Sequence, residues 1–319
     1  MKRIVAVVMA FVLLGTACGG DDADDTTGGT AALDTPGLPS TYTGPDGTTS
    51  TVTDVSRIVT LSGEFTEIVF ALGLGDNVVG ADLSSVYPEE ETRSIPKIGV
   101  ERLLLAEPII AQNPTVVLGD TDATPPDVID QVRQAGIPVV IFPRFQGLEA
   151  PATKIRAVAE VLGIPAEGEA LAASVQEEMD TIAAATADLD NPPPAAVVYM
   201  ANNGATILLL GENTVMEDLI AAAGGIDVAP AAGSDGMMPL TPEALAGGAP
   251  EYIITSERAL DSTGGVEGFL EVPGVAQTPA GEERNILVFE DTFLLNLGPR
   301  TPDLLREMLA AFHPDVTVP

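Results

Sequence analysis

The stretch PATKIRAVAEVLGIPAEGEALAASVQEEMDTIAAATADLDNPPP, residues 151–194, decides the fold. It is rich in Ala and Glu, both good helix formers. Apolar residues recur at helical spacing, first Ile155, Val158, Ala159 and Leu162, then Leu171, Val175, Met179 and Ile182. Gly163-Ile164-Pro165 interrupts the first run. Ala170–Leu189 then continues as one helix of about five turns, and Pro192-Pro193-Pro194 ends it. Residues 148–194 read as a helical connector because the segments on either side resemble each other.

Ahead of the connector, RIVTL (57–61) is a strand candidate, followed by a polar turn and the helix TEIVFALG (66–73). Behind it, AVVYM (196–200) is a strand candidate, and after an insertion comes the helix VMEDLIAAAGG (215–225). Glu67 and Glu217 take matching places, with Gly75 and Gly225 following at equal distance. Further on, Glu107-PIIAQN-Pro114-TVVL parallels Glu243-ALAGGA-Pro250-EYIIT. In each, an acid opens a short helix, a proline closes it and an apolar strand follows. An internal repeat of this length implies duplicated units. The expected fold is α/β: two similar lobes, 54–147 and 195–319, each a mostly parallel sheet flanked by helices. One long helix joins them, and the ligand cleft lies between them.

Composition limits the function. With 14 basic against 47 acidic residues the formal net charge is −33, which excludes a nucleic-acid binder, since that class needs a basic footprint. A single Cys forbids an intramolecular disulfide, and a single His excludes a histidine-rich metal site. Met1-Lys2-Arg3, the apolar run Ile4–Leu14 and the small residues Gly15-Thr16-Ala17 precede Cys18. That order reads as a secretory signal over 1–18 and resembles a bacterial lipobox, with Cys18 as the lipidated residue. The rival reading is secretion without an anchor. Residues 19–53 are dominated by Gly, Thr, Pro and Asp with few large apolar side chains. They read as a disordered tether with an r.m.s. span of roughly 30–35 Å.

Parallel α/β lobes bind ligands in the loops after the strands. Here those loops are Ser62–Phe65, Gly119–Thr124 and Pro143–Gly147 in the first lobe. In the second they are Ala201–Thr206, Ser256–Gly265 and Asp291–Arg300. Enzyme signatures are missing from the sequence. The only histidine, His313, has no G-x-S-x-G partner, and Gly73-Leu74-Gly75 follows a helix, not a strand, so no dinucleotide fingerprint forms.

Residues 57–312 resemble the substrate-binding lipoproteins of ABC importers whose lobes are joined by one long helix. Within that class they are most similar to the haemin-binding branch. RIVTLSGEFTEIVFALGLGDNVVG, YPEE followed by IPKIG, DTDATPPDVIDQVRQAGIPVV and LGPRTPDLL carry the resemblance. It implies a protein that is no enzyme and uses no catalytic cofactor. It works as an extracytoplasmic monomer, lipid-anchored to the membrane, and delivers haem to a permease and its ATPase. Ferric siderophore and cobalamin are the alternative ligands, and an adhesive surface lipoprotein is the alternative of another class. The resemblance assigns permease docking to Glu107 and Glu243, one per lobe. A helix start stabilised by the macrodipole would account for both acids equally.

For the ligand, the loop in which relatives carry a ligating Tyr reads Gly236-Met237-Met238-Pro239, so Met237 or Met238 is the candidate near haem iron. Arg102, Arg144 and Arg300 are candidates for pairing with ligand carboxylates, with Asp122 as a possible partner of Arg144. Phe65, Asn202 and Leu295 complete the expected cleft.

Overall fold

The computed structural model describes residues 35–201, 204–211, 213–230, 233 and 236–318. The signal segment, Cys18 and Asn202 lie outside the described residues. The chain opens with a hairpin, β1 (Ser40–Thr43) and β2 (Thr49–Val52). The first lobe follows as β3 (Ile58–Thr60), α1 (Gly63–Ala71), β4 (Val78–Ala81), α2 (Glu89–Thr92), α3 (Ala106–Ala111), β5 (Val116–Asp120), α4 (Pro126–Gln134) and β6 (Val139–Phe142). Then come α5 (Ala150–Val161) and α6 (Pro165–Thr186). The second lobe contains β7 (Pro194–Ala201), β8 (Thr206–Leu210), α7 (Val215–Ala222), β9 (Ile226–Asp227), β10 (Met237–Pro239), α8 (Pro242–Gly248), β11 (Tyr252–Ser256) and α9 (Glu257–Thr263). It ends with α10 (Val266–Leu270), α11 (Pro279–Glu283), β12 (Ile286–Phe289), α12 (Asp291–Leu295) and α13 (Thr301–Phe312).

The duplication is visible in the sheets. The first has strand order β4-β3-β5-β6, all parallel. In the second, β9, β7, β11 and β12 repeat that order in parallel. The difference between them is the insertion, which adds β8 antiparallel to β7 and β10 antiparallel to β8. Strands buried on both faces read as continuous apolar runs, and β5 and β6 are buried throughout. Ile58, Val116, Leu118 and Val140 face a core that runs through α5 and α6 into the second lobe. Val59, Val117 and Val139 face a separate outer cluster.

Gly163, with φ +76°, ends α5 in the left-handed conformation, and Pro165 opens α6 at a first-turn position where its missing N–H costs nothing. The long helix therefore starts earlier than the sequence suggests. Its 22 residues span about 33 Å. It buries a narrow seam of Gly168, Ala172, Val175, Met179, Ile182 and Thr186. The last helix, α13, matches α5 in length, 12 residues each. Thus α5 closes the first repeat, and α6 alone is the connector.

Two expectations need correction. The tether was expected to run to residue 53, but β1 and β2 are ordered against the first lobe. Ser40 Oγ donates to the Val161 carbonyl (2.6 Å) and Ser50 Oγ to the Val139 carbonyl (2.8 Å). Tyr42 lies 4.9 Å from Phe142, and Val52 is fully buried. A weakly apolar segment folds here because it covers the otherwise open edge strand β6. Secondly, two loops expected in the second lobe contain helices, α9 and α12. Ser256 Oγ and the Glu290 carboxylate cap their first turns.

Candidate ligand cleft

Asp82, directly after β4, organises the first lobe's cleft face. Its Oδ1 accepts from Ser84 N (2.6 Å) and its Oδ2 from Glu101 N (2.8 Å), stapling two irregular segments together. Thr60, Thr66 and Ser85 share a buried hydroxyl chain at 2.6 and 2.7 Å that ties the same turn to β3 and α1. Held this way, the segments expose Leu83, Val86, Tyr87, Val100 and Leu103 to solvent. Exposed large apolar side chains of this number on neighbouring segments make this face a candidate for binding.

Beside this apolar face stands a charged group. Arg102 Nη2 donates to Asp122 Oδ2 at 2.5 Å, and Arg144 Nη1 donates to the same oxygen. The two arginine side chains stay 67% and 58% exposed, so most of their N–H donors face water. Beneath them, oxygens of Glu101, Asp120 and Asp122 lie within 4.8 Å of one another. Glu101 Oε1 is enclosed and has no hydrogen-bond partner among the described residues. Burial, then the charges of Asp120, Glu64, Asp82 and Asp122, push the Glu101 carboxyl up to about 9. Burial and Glu64 push Asp120 up to about 6, against the hydrogen bond it accepts from Asp122 N. Burial also acts on Asp122, but the two arginines outweigh it and hold that carboxyl below its ordinary value. Glu64 is itself paired with the buried Lys154 of α5. At neutral pH the cluster therefore keeps a proton on Glu101, while Asp122 stays ionised and presents two guanidinium groups.

The remaining expected residues separate. Phe65 is 1% exposed and stacks on Phe142 at 5.3 Å, so it belongs to the core and not to the cleft. Arg300 is committed elsewhere. Its Nη2 and Nε donate to Glu67 Oε2 at 2.8 and 3.0 Å, and its backbone N donates to Oε1 at 3.3 Å. Its guanidinium also lies 3.8 Å from the Tyr87 ring centroid. Arg300 therefore joins the lobes instead of waiting for a ligand. The two methionines alternate along β10: Met237 is 64% exposed, while Met238 packs against the second lobe's outer core. Only Met237 remains a candidate near bound iron. Leu295 is half-buried at the end of α12, packed against the main core.

Glu107 and Glu243 are both exposed second residues of their helices, α3 and α8, so the structure keeps them equivalent. The other matched pair shifts by one. The glycines that end α1 and α7 in the left-handed conformation are Gly73 and Gly224, which makes Asp218, not Glu217, the counterpart of Glu67. Glu217 instead accepts from Asn213 N at 3.2 Å. His313 follows α13 half-buried, its Nε2 2.9 Å from the Gly224 carbonyl. Asp82, Glu101 and Asp120 escaped the sequence reading. Two of them, Asp82 and Asp120, sit at the carboxyl ends of β4 and β5, the place where α/β sheets present functional groups.

A family model described as "Periplasmic binding protein" matches residues 58–292. Among solved structures, the apo periplasmic heme-binding protein RhuT from Roseiflexus sp. RS-1 is 43% identical, with a TM-score of 0.78. The match covers 82% of this chain and 99% of that one. The heme-binding protein HmuT is 33% identical with a TM-score of 0.79, covering 88% and 92%. The substrate-binding lipoprotein YvrC of Bacillus subtilis (strain 168) is 24% identical over 265 residues, 81% of this chain and 80% of that one. The vitamin B12-binding protein of Vibrio parahaemolyticus is 28% identical over 130 residues, only 46% of its length.

Proposed function

From the premise that this chain belongs to the periplasmic binding protein family, and so to the non-catalytic substrate-binding proteins of ABC importers, we propose that its ligand is haem. The protein takes it up in the interlobe cleft and delivers it to the permease. The observation that carries this reading is the 43% identity to a heme-binding protein across 99% of that protein's length. The cleft chemistry suits it. Leu83, Val86, Tyr87, Val100 and Leu103 offer an apolar wall for a macrocycle. Arg102 and Arg144, aligned by Asp122, offer donors to carboxylates. Met237, exposed on the second lobe's insertion, is the candidate thioether ligand to iron in this reading, with Leu295 and Asn202 as further contacts. In this reading Glu107 and Glu243 dock the lobes on the permease, Cys18 anchors the chain to the membrane, and the protein works as a monomer.

An absorbance titration of the purified protein with haemin, run beside a ferric siderophore and cobalamin, tests the ligand. Saturation by haemin with a shifted Soret band is expected. Saturation by cobalamin alone would favour the second reading, for which the B12-binding relatives speak.

A further inference from the structure

Duplication creates two equivalent corners where one lobe meets the other, and their occupants differ. At the first, Glu67 of α1 approaches the turn before α13. A methyl built on Gly298 would lie 3.3 Å from Glu67 Oε1, and Arg300, immediately ahead of α13, completes the ion pair. At the second, Asp218 of α7 approaches the turn before α5. A methyl built on Gly147 would lie 4.0 Å from Asp218 Oδ2, and the residue immediately ahead of α5 is Glu149.

The equivalence extends to the backbone. Glu149 has φ −84° and ψ −8°; Arg300 has φ −88° and ψ 2°. Closely similar backbones at the two positions give their Cα–Cβ bonds the same orientation relative to the helix that follows. Where the first corner has Arg300 paired with an acid, the matching backbone position of the second corner carries an acid, Glu149, in place of a cation. Asp218 and Glu149 are both exposed, and among the described residues neither has an ion-pair partner. Glu67 and Arg300 have side chains only 6% and 19% exposed, and Tyr87 covers the guanidinium.

We propose that the lobes are fastened at one corner only, so that they part by swinging about Glu67–Arg300 and the cleft opens at the Asp218–Glu149 corner. Separation at the first corner would strip a shielded ion pair of its partner, which is strongly opposed. The second corner has no ion pair among the described residues to oppose separation. Arg144 stands three residues ahead of Gly147, at the opening corner, so an entering carboxylate meets it early. The proposal concerns lobe motion and holds whichever chelate the cleft takes.

Double electron–electron resonance on the full chain tests it, with Cys18→Ser to leave only introduced labelling sites. One label pair, Glu90→Cys with Asp303→Cys, reports on the fastened corner. A second, Gln146→Cys with Asn213→Cys, reports on the other. Without ligand, the first pair should give a narrow distance distribution and the second a broad one. Glu149→Arg supplies the missing cation and should narrow the second distribution while leaving the first unchanged. Arg300→Glu combined with Glu149→Arg should exchange the two patterns. Equal widths at both corners in the parent chain, or no narrowing by Glu149→Arg, would overturn the proposal. The single Glu149→Arg variant keeps the test decisive if the double variant does not fold.

Discussion

Glu67 and Arg300 stand 233 residues apart in the chain, on different lobes, and share three hydrogen bonds, two from the guanidinium and one from the backbone N–H. The carboxylate thus serves two purposes, since it also caps the amino end of α13, where negative charge is stabilised. Both groups depend on a contact that exists only while the lobes are together.

Removing one partner leaves the other charge shielded and unpaired. Arg300→Ala is expected to lower stability by about 3 kcal/mol, the low end for breaking a buried pair. Arg300→Lys should lose roughly half as much, because it keeps the charge but not the fork or the flat stacking on Tyr87. Urea denaturation of the three proteins checks both values. Equal stability of Arg300→Ala and the parent would mean that the pair contributes nothing.

The carboxylate cluster predicts an acid-side stability maximum. Folding raises Glu101 from 4.5 to about 9 and Asp120 from 3.8 to about 6, so the folded chain binds more protons than the unfolded one between those limits. Their contribution is complete below about pH 4, falls as pH passes about 6 and keeps falling toward 9. Asp122, held below its ordinary value, acts in the opposite sense and loses its contribution only at lower pH. Glu101→Gln removes one titration. It should melt about 4 °C higher than the parent at pH 8, on the order of 1–2 kcal/mol, and at nearly the same temperature at pH 4.5. A thermal-shift series from pH 4 to 9 decides; parallel curves for parent and variant would refute the assignment.

The two methionines of β10 should behave differently. With haem as the ligand, Met237→Ala is expected to change the ferrous absorbance spectrum and leave the melting temperature unaltered. Met238→Ala should do the reverse, costing roughly 2 kcal/mol from the outer core. Spectra and melting curves of both variants separate the roles, and a spectral change confined to Met238→Ala would reverse them.

Glu107→Arg and Glu243→Arg should each slow uptake by about tenfold through lost charge complementarity, while ligand titrations stay unchanged. Transport assays in membranes containing the permease measure the first effect. Normal uptake by the double variant would leave macrodipole stabilisation as the acids' whole role.

Most of the architecture was legible in the sequence because local signals and burial agree there. VVIF at 139–142 is a strand in both, and the alternation of strand and helix around Pro114 and Pro250 survives intact. The hairpin was not legible. Ser40 and Ser50 order it through bonds to carbonyls far along the chain, and a window rich in Thr and Gly carries no trace of those partners. The cleft was legible in part. Arg144 pairs with Asp122, the loop tie that the sequence offered as the alternative to ligand binding, and Arg102 joins it on the same oxygen, which the sequence did not indicate. Arg300 looked identical to them in sequence, and only the facing Glu67 decides that it is already occupied. Met237 and Met238 are neighbours that sequence cannot tell apart, while strand register places them on opposite faces. Glu101 was obscured by lying in an irregular segment whose position depends on Asp82.

Val52 tests the hairpin's contribution. Val52→Ala should cost roughly 2 kcal/mol and speed hydrogen exchange along β6, the strand the hairpin covers. Unchanged exchange at residues 139–142 would mean that the cover is dispensable.

That hairpin also fixes where force can enter the fold. Gly37 N donates to the Gly163 carbonyl at 2.9 Å, so a pull on the preceding chain reaches the folded body at the junction of α5 and α6. From there the chain passes into the β1–β2 hairpin, whose two open ends, Ser40 and Val52, are paired with each other, and not into the Asp82–Leu103 segments. Tension applied at the amino end therefore meets the fold at the hairpin and the α5–α6 junction, apart from the exposed apolar residues Leu83, Val86 and Leu103.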